Sequence, residues 1–162
     1  MLVFVEFKLS GNQIMYQNSK HAGNMVLLRG ATLWLLVALV LAWCLVFMKL
    51  EVTIIKMIFK DFHRLLQGHI DFLLMSALIL GFYAAKVPLP WHIQWSMVIG
   101  AFTNSSLFLM QSMFPVLETP SEGIFSMAFR VFLMLSLTIT TYGFGMGAII
   151  IFRSTLKTAS SD

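Results

Sequence analysis

The sequence predicts an all-α integral membrane protein: a bundle of four transmembrane helices with an amphipathic interfacial segment before the second. Three observations carry that expectation. Of the 162 residues, 59% are hydrophobic and only 11% charged, with a mean hydropathy of +0.85, which lies outside the balance of a soluble domain. The apolar segments are continuous and about twenty residues long, the length that crosses a hydrocarbon core, whereas a barrel would read as alternating stretches of about ten. Proline- and glycine-bearing breaks, "KVPLPW" and "PVLETPSEG", separate the later segments, as helix boundaries require.

Taken in order, residues 1–24 read as a polar extension without the apolar core and small-residue cleavage site of a signal peptide. Met25, just before the first span, offers a second point at which translation could start. A membrane domain is expected over residues 25–153, followed by a polar tail at 154–162. The first span, about 30–48, carries no charge and places Trp34 and Trp43 toward its two ends, where aromatic belts form. Its Cys44 is the single cysteine, so no disulfide framework exists and a packing role is expected.

The connection after it holds Lys49, Lys56, Lys60 and Arg64, while Ile54, Ile58, Phe62 and Leu65 recur at spacings of three and four. That pattern predicts a helix lying in the interface and continuing into the second span, about 65–85. The third span is expected at about 91–114 and the fourth at about 126–152. Short connections between them predict antiparallel neighbours.

The net charge of +4 is spread beside the apolar runs rather than gathered into a basic block. This argues against nucleic acid as a partner and for a lipid bilayer with anionic headgroups. Basic residues divide evenly, with Lys20, Arg29, Lys86, Arg153 and Lys157 on one side and Lys49, Lys56, Lys60, Arg64 and Arg130 on the other, so the positive-inside rule sets no orientation. Glu118 and Glu122 lean toward cytoplasmic termini. The expected location is a bacterial inner (cytoplasmic) membrane.

Ionisable groups inside a span cost roughly 2.5–3.5 kcal/mol near the centre unless shielded, so polar residues within the spans are informative. In the third, Gln94, Ala101, Asn104, Ser105, Gln111 and Ser112 share one small and polar stripe. In the fourth, Ser136, Thr140, Gly143 and Gly147 form a small-residue stripe suited to close helix packing. In the second, His69 and Asp71 point about 200° apart. Asp71 is expected to be anchored near the headgroups through Gln67 or Arg64. His69 shares its face with Leu65, Phe72, Leu73 and Ser76, and so faces the bundle interior, either as a hydrogen bond to another helix or as a metal ligand. His21, His63 and His92 read as wet, and no zinc, phosphate-loop or nucleophile motif is present.

"GHIDFLLMS" and "GAFTN" resemble the small four-helix membrane proteins that include styrene oxide isomerase and hydroxylaminobenzene mutase. In that family the second helix carries a histidine near its start and the third a "GTYAN"-like pattern. The resemblance covers roughly residues 28–150 and places His69 on the histidine, with Gly100 and Asn104 on the ends of the second pattern. It implies haem b bound through His69 to an iron that acts as a Lewis acid on an epoxide oxygen, a small apolar substrate, and a homo-oligomer, a trimer in the isomerases. Asn104 and Ser76 are the catalytic candidates. Two departures bear on activity: Met75 replaces the family's asparagine and Phe102 its tyrosine. Losing both removes the expected donor near a developing oxyanion, so the resemblance implies haem binding more strongly than isomerisation. The competing class is a non-enzymatic accessory or assembly subunit in which His69 and Asn104 hold helices together. A transporter would want paired charges within the spans, which this chain lacks apart from Asp71.

Overall fold

The computed structural model describes residues 24–118 and 123–159, with side chains described as far as Leu156. Among these, all regular structure is helical: α1 (Met25–Lys49), α2 (Thr53–Ile58), α3 (Phe62–Ala84), α4 (Trp91–Met113), a 3-10 turn (Pro115–Glu118) and α5 (Ile124–Ala159). The four long helices fall on the four expected spans, stopping one residue short at the ends of the second and third and overrunning most of the other ends. Most of the extension expected over residues 1–24 lies outside the described residues. Asn24 does not, and it is buried at the start of α1. At the other end, α5 continues through most of the stretch read as a tail.

Helix α3 starts where Asp61 caps it, its carboxylate accepting the Arg64 amide at 3.0 Å, which satisfies a backbone donor that the first turn leaves open. It ends where Lys86 adopts a left-handed φ of 56° and Pro88 and Pro90 forbid continuation. Pro90 then caps α4 with its ring fixed in the extended conformation.

The expected interfacial helix is shorter than the periodicity suggested. α2 is six residues long, and extended backbone at Phe59 and Asp61 separates it from α3. Its inward face is also different: Ile55 and Phe59 pack on the bundle, while Ile54 and Ile58 are exposed. Before it, Glu51 holds a left-handed φ of 61° and pairs with Lys56 at 2.8 Å. The Lys56 hydrogen bond, and then its charge, hold the Glu51 carboxyl below its usual range.

Helices α1, α3 and α4 pack against one another, and α5 lies mainly along α4. Two apolar clusters fill the three-helix core. One joins Leu27, Ala31, Ile79 and Met97; the other joins Ala38, Leu41, Leu65 and Phe72. Outside, Leu36, Val40, Trp43, Leu74, Val131 and Leu135 are exposed, forming the apolar surface that a bilayer covers.

Length and composition qualify α1, α3 and α5 to cross a membrane. This is a helical membrane protein. The most buried of the long helices is α4: Gln94, Ser105 and Ser112 lie within it beside Gly100 and Ala101, because its polar stripe faces protein on several sides.

Candidate functional site

Each end of α4 is fastened by backbone and amide groups. At its start, the Asn24 amide donates to the Val87 carbonyl at 2.9 Å and its oxygen accepts the Leu89 amide at 3.3 Å. Gln94 donates to the Leu89 carbonyl at 2.7 Å and to Asn24 at 3.4 Å. At its end, the Ser112 carbonyl accepts the amides of Lys60 and Asp61 at 2.8 and 3.1 Å. These bonds absorb polar groups that the loop and the helix terminus would otherwise leave unpaired next to lipid.

Between these ends stands a polar centre. Asp71 Oδ2 accepts the Asn104 amide at 3.0 Å and the Ser105 hydroxyl at 2.7 Å. The expected anchoring of Asp71 by Gln67 or Arg64 is therefore replaced by a bond between helices. The Arg64 guanidinium instead donates to Gln67 at 2.8 Å. The reason lies in the α4 stripe, which supplies two donors directly opposite the acid and makes snorkelling unnecessary. Asp71 sits nine positions into α3, about 14 Å along its axis, deep enough that an unshielded carboxylate would be costly. On its outer side a shallow cavity of about 230 Å³ is lined by Gln67, Ile70, Asp71, Leu74 and Phe108.

On the α5 side of α4, Ser136 donates to Thr103 at 3.0 Å. Gly100 lies against Thr140, and Gly143 against the Ser96–Met97 backbone. The small-residue stripe read from the sequence is thus a packing seam. Its last member, Gly147, meets the Phe82 ring of α3.

His69 is half-buried and faces α1, where its Nδ1 lies 2.9 Å from the Ala38 carbonyl. A carbonyl only accepts, so Nδ1 carries the proton, and the neutral imidazole keeps a lone pair on Nε2. Ser76 is buried and bonds back to the Phe72 carbonyl of its own helix at 2.7 Å. The three candidate residues therefore have separate engagements: His69 on α1, Asn104 on Asp71 and Ser76 on its own backbone. Met75 packs against the core, and Phe102 stacks on Trp34 with centroids 4.7 Å apart. His63 and His92 are exposed, and His21 lies outside the described residues.

Among the described residues no group of three or more His, Cys, Asp or Glu side chains converges as a metal site. Haem iron takes an imidazole ligand, and with Nδ1 donating to Ala38 the nitrogen of His69 that could meet such a group is Nε2. No family model, curated protein or solved structure matches the chain.

The polar centre was half legible: periodicity placed Asn104 and Ser105 on an inward stripe, but nothing in the sequence named Asp71 as their partner. The wall formed by Trp34, Phe102 and Val98, in which the Trp34 indole donates to the Val98 carbonyl at 3.1 Å, had no signal beyond aromatic residues in adjacent spans.

Proposed function

We propose that the chain crosses the membrane four times and holds haem through His69, in the manner of the isomerase and mutase family it resembles. What supports the ligand reading is the His69–Ala38 bond. It orients the ring and fixes the proton on Nδ1, which is how metal-ligating histidines are held by backbone carbonyls. Iron bound there would supply Lewis-acid chemistry. Asn104 and Ser76 are engaged elsewhere, and Met75 and Phe102 offer no polar donor, so we assign haem binding without efficient epoxide isomerisation. On this reading the porphyrin would lie at the bundle surface beside half-buried His69, covered by another copy in a homo-oligomer such as a trimer.

The fourth crossing is α4. Its 23 residues span about 34 Å, enough for a hydrocarbon core of about 30 Å. The polar residues that lower its hydropathy are the ones turned toward protein. α2, exposed on one side and packed on the other, is the interfacial segment at the membrane surface.

The test is a visible spectrum of the full chain purified in mild detergent after expression with ample haem. A Soret band that disappears in His69→Ala, with the variant still folded by circular dichroism, is the expected result. A colourless wild-type protein would overturn it.

A second reading, a non-enzymatic accessory subunit, draws on the same bonds: His69, Asp71, Asn104, Ser105 and Ser136 all join helices. A stoichiometric partner protein recovered with a colourless chain would favour it.

A further inference from the structure

Helices α1 and α4 each run antiparallel to α3 and hence parallel to one another, and the Asn24 bonds to Val87 and Leu89 set their N-termini side by side. Between them lies an apolar groove of about 420 Å³, lined among others by Arg29, Gly30, Trp34, Trp95, Val98 and Phe102. Its α1 wall recurs at Val26, Arg29, Gly30, Leu33 and Trp34, and its α4 wall at Trp95, Val98, Ile99 and Phe102, both spaced as single helix faces.

The groove has a built floor and a closed inner end. A Cβ on Gly30 would come within 2.5 Å of Val98, so only glycine allows the two helices to approach there. The Trp34 indole is tied to the Val98 carbonyl at 3.1 Å, and its ring stacks on Phe102 at 4.7 Å, which stops the groove at depth. Toward the helix starts stands Arg29, among the described residues the one cation in its lining. Arg29 is exposed, and among the described residues no hydrogen bond or ion pair engages its guanidinium. The two adjacent helix N-termini add positive potential at that same end.

We propose that this groove binds an anionic phospholipid, one acyl chain lying along Leu33, Trp95 and Ile99 and stopped by Trp34 and Phe102, the headgroup phosphate held by Arg29. A neutral apolar molecule would satisfy the walls but leave the cation at the mouth unused. An anionic amphiphile satisfies both, and the surrounding membrane is its source.

Tryptophan quenching tests this. The full chain, with Trp43→Phe and Trp91→Phe to isolate Trp34 and Trp95, is reconstituted with phosphatidylglycerol or phosphatidylcholine brominated on the acyl chains. The expected result is roughly a five-fold preference for the anionic lipid, the factor one cation near a charged headgroup gives. That preference falls toward unity in Arg29→Gln and persists in Arg29→Lys. Inorganic phosphate at millimolar concentration leaves it unchanged, since the acyl chain supplies part of the binding. Equal quenching by the two lipids in the starting protein, a preference that survives Arg29→Gln, or loss of the preference to inorganic phosphate would each overturn the proposal. Any haem held by His69 would dim both tryptophans alike in the two lipids, and the comparison repeated in His69→Ala should give the same preference, so this outcome is separable from the spectrum.

Discussion

At residue 71 an acid set well inside α3 meets two donors on α4, and removing it would strand both. Asp71→Ala leaves the Asn104 amide and the Ser105 hydroxyl without their acceptor, and an abandoned polar group of this kind costs about 1–3 kcal/mol. We expect Asp71→Ala to lower unfolding stability in detergent by that amount. A double-mutant cycle with Asn104→Ala should give a coupling between about 0.6 kcal/mol, the average for hydrogen bonds between membrane helices, and about 1.7 kcal/mol, the upper end of the range. Zero coupling would show that the pair is incidental. This bond also marks where single-sequence reasoning stops. The period of α4 places Asn104 and Ser105 on one inward face, and the period of α3 separates Asp71 from His69. Neither period says which face meets which, because register between helices is set by packing across some thirty residues of intervening chain. The apolar neighbours of His69 predict an inward side chain, and it is half-buried against α1. Its partner, the Ala38 carbonyl, is a backbone group that no side-chain pattern can announce.

Between helices, the motif "GFGMG" of α5 separates seam from surface within five residues. A Cβ on Gly143 would lie 2.7 Å from the Met97 amide nitrogen, whereas one on Gly145 meets nothing within 4 Å. Gly143→Ala should therefore push α5 off α4 and destabilise by about 1–3 kcal/mol, as overpacking does. Gly145→Ala should leave stability unchanged or raise it by up to about 1 kcal/mol through helix propensity alone. Thermal unfolding of the two variants side by side checks the contrast, and equal losses would contradict the packing seam. The stripe was legible because small residues at threes and fours have one common use when helices pack in lipid. The length of α2 was not. Its hydrophobic spacing runs on past Phe59, but the Lys60 and Asp61 amides are drawn to the Ser112 carbonyl, a tertiary bond that overrides local periodicity and starts α3 afresh. At the far end of α3, Lys86 holds φ 56°, a conformation that costs a residue with a Cβ about 1–2 kcal/mol. Lys86→Gly removes that strain at the expense of backbone entropy and of a cation at a helix C-terminus. The net expectation is a small rise in the thermal midpoint, and a fall would mean that the lysine side chain stabilises the turn more than its backbone strains it.

For the molecule as a whole, the decisive question is whether α4 crosses the membrane with its neighbours, since its hydropathy alone does not qualify it. The bonds at its two ends favour the proposed crossing. Its start is tied to the beginning of α1 through Asn24, and its end to the junction before α3 through Ser112. α4 therefore runs alongside α3 from end to end and starts beside the start of α1, both of them apolar enough to span, and this placement supports the proposed fourth crossing. What lowers its hydropathy, chiefly Gln94, Asn104, Ser105 and Ser112, is buried or paired inside the bundle, and lipid does not read groups that protein covers. The four crossings proposed would put the loop holding Lys86 on the opposite face from the turn holding Glu118, with the α1–α2 turn on the side of Glu118. In a Cys44→Ser background, single cysteines placed at Lys86, Glu118 and Glu51 should label with a membrane-impermeant maleimide from opposite sides: Lys86→Cys from one, Glu118→Cys and Glu51→Cys from the other. Labelling of Lys86→Cys and Glu118→Cys from the same side would mean that α4 does not traverse the bilayer.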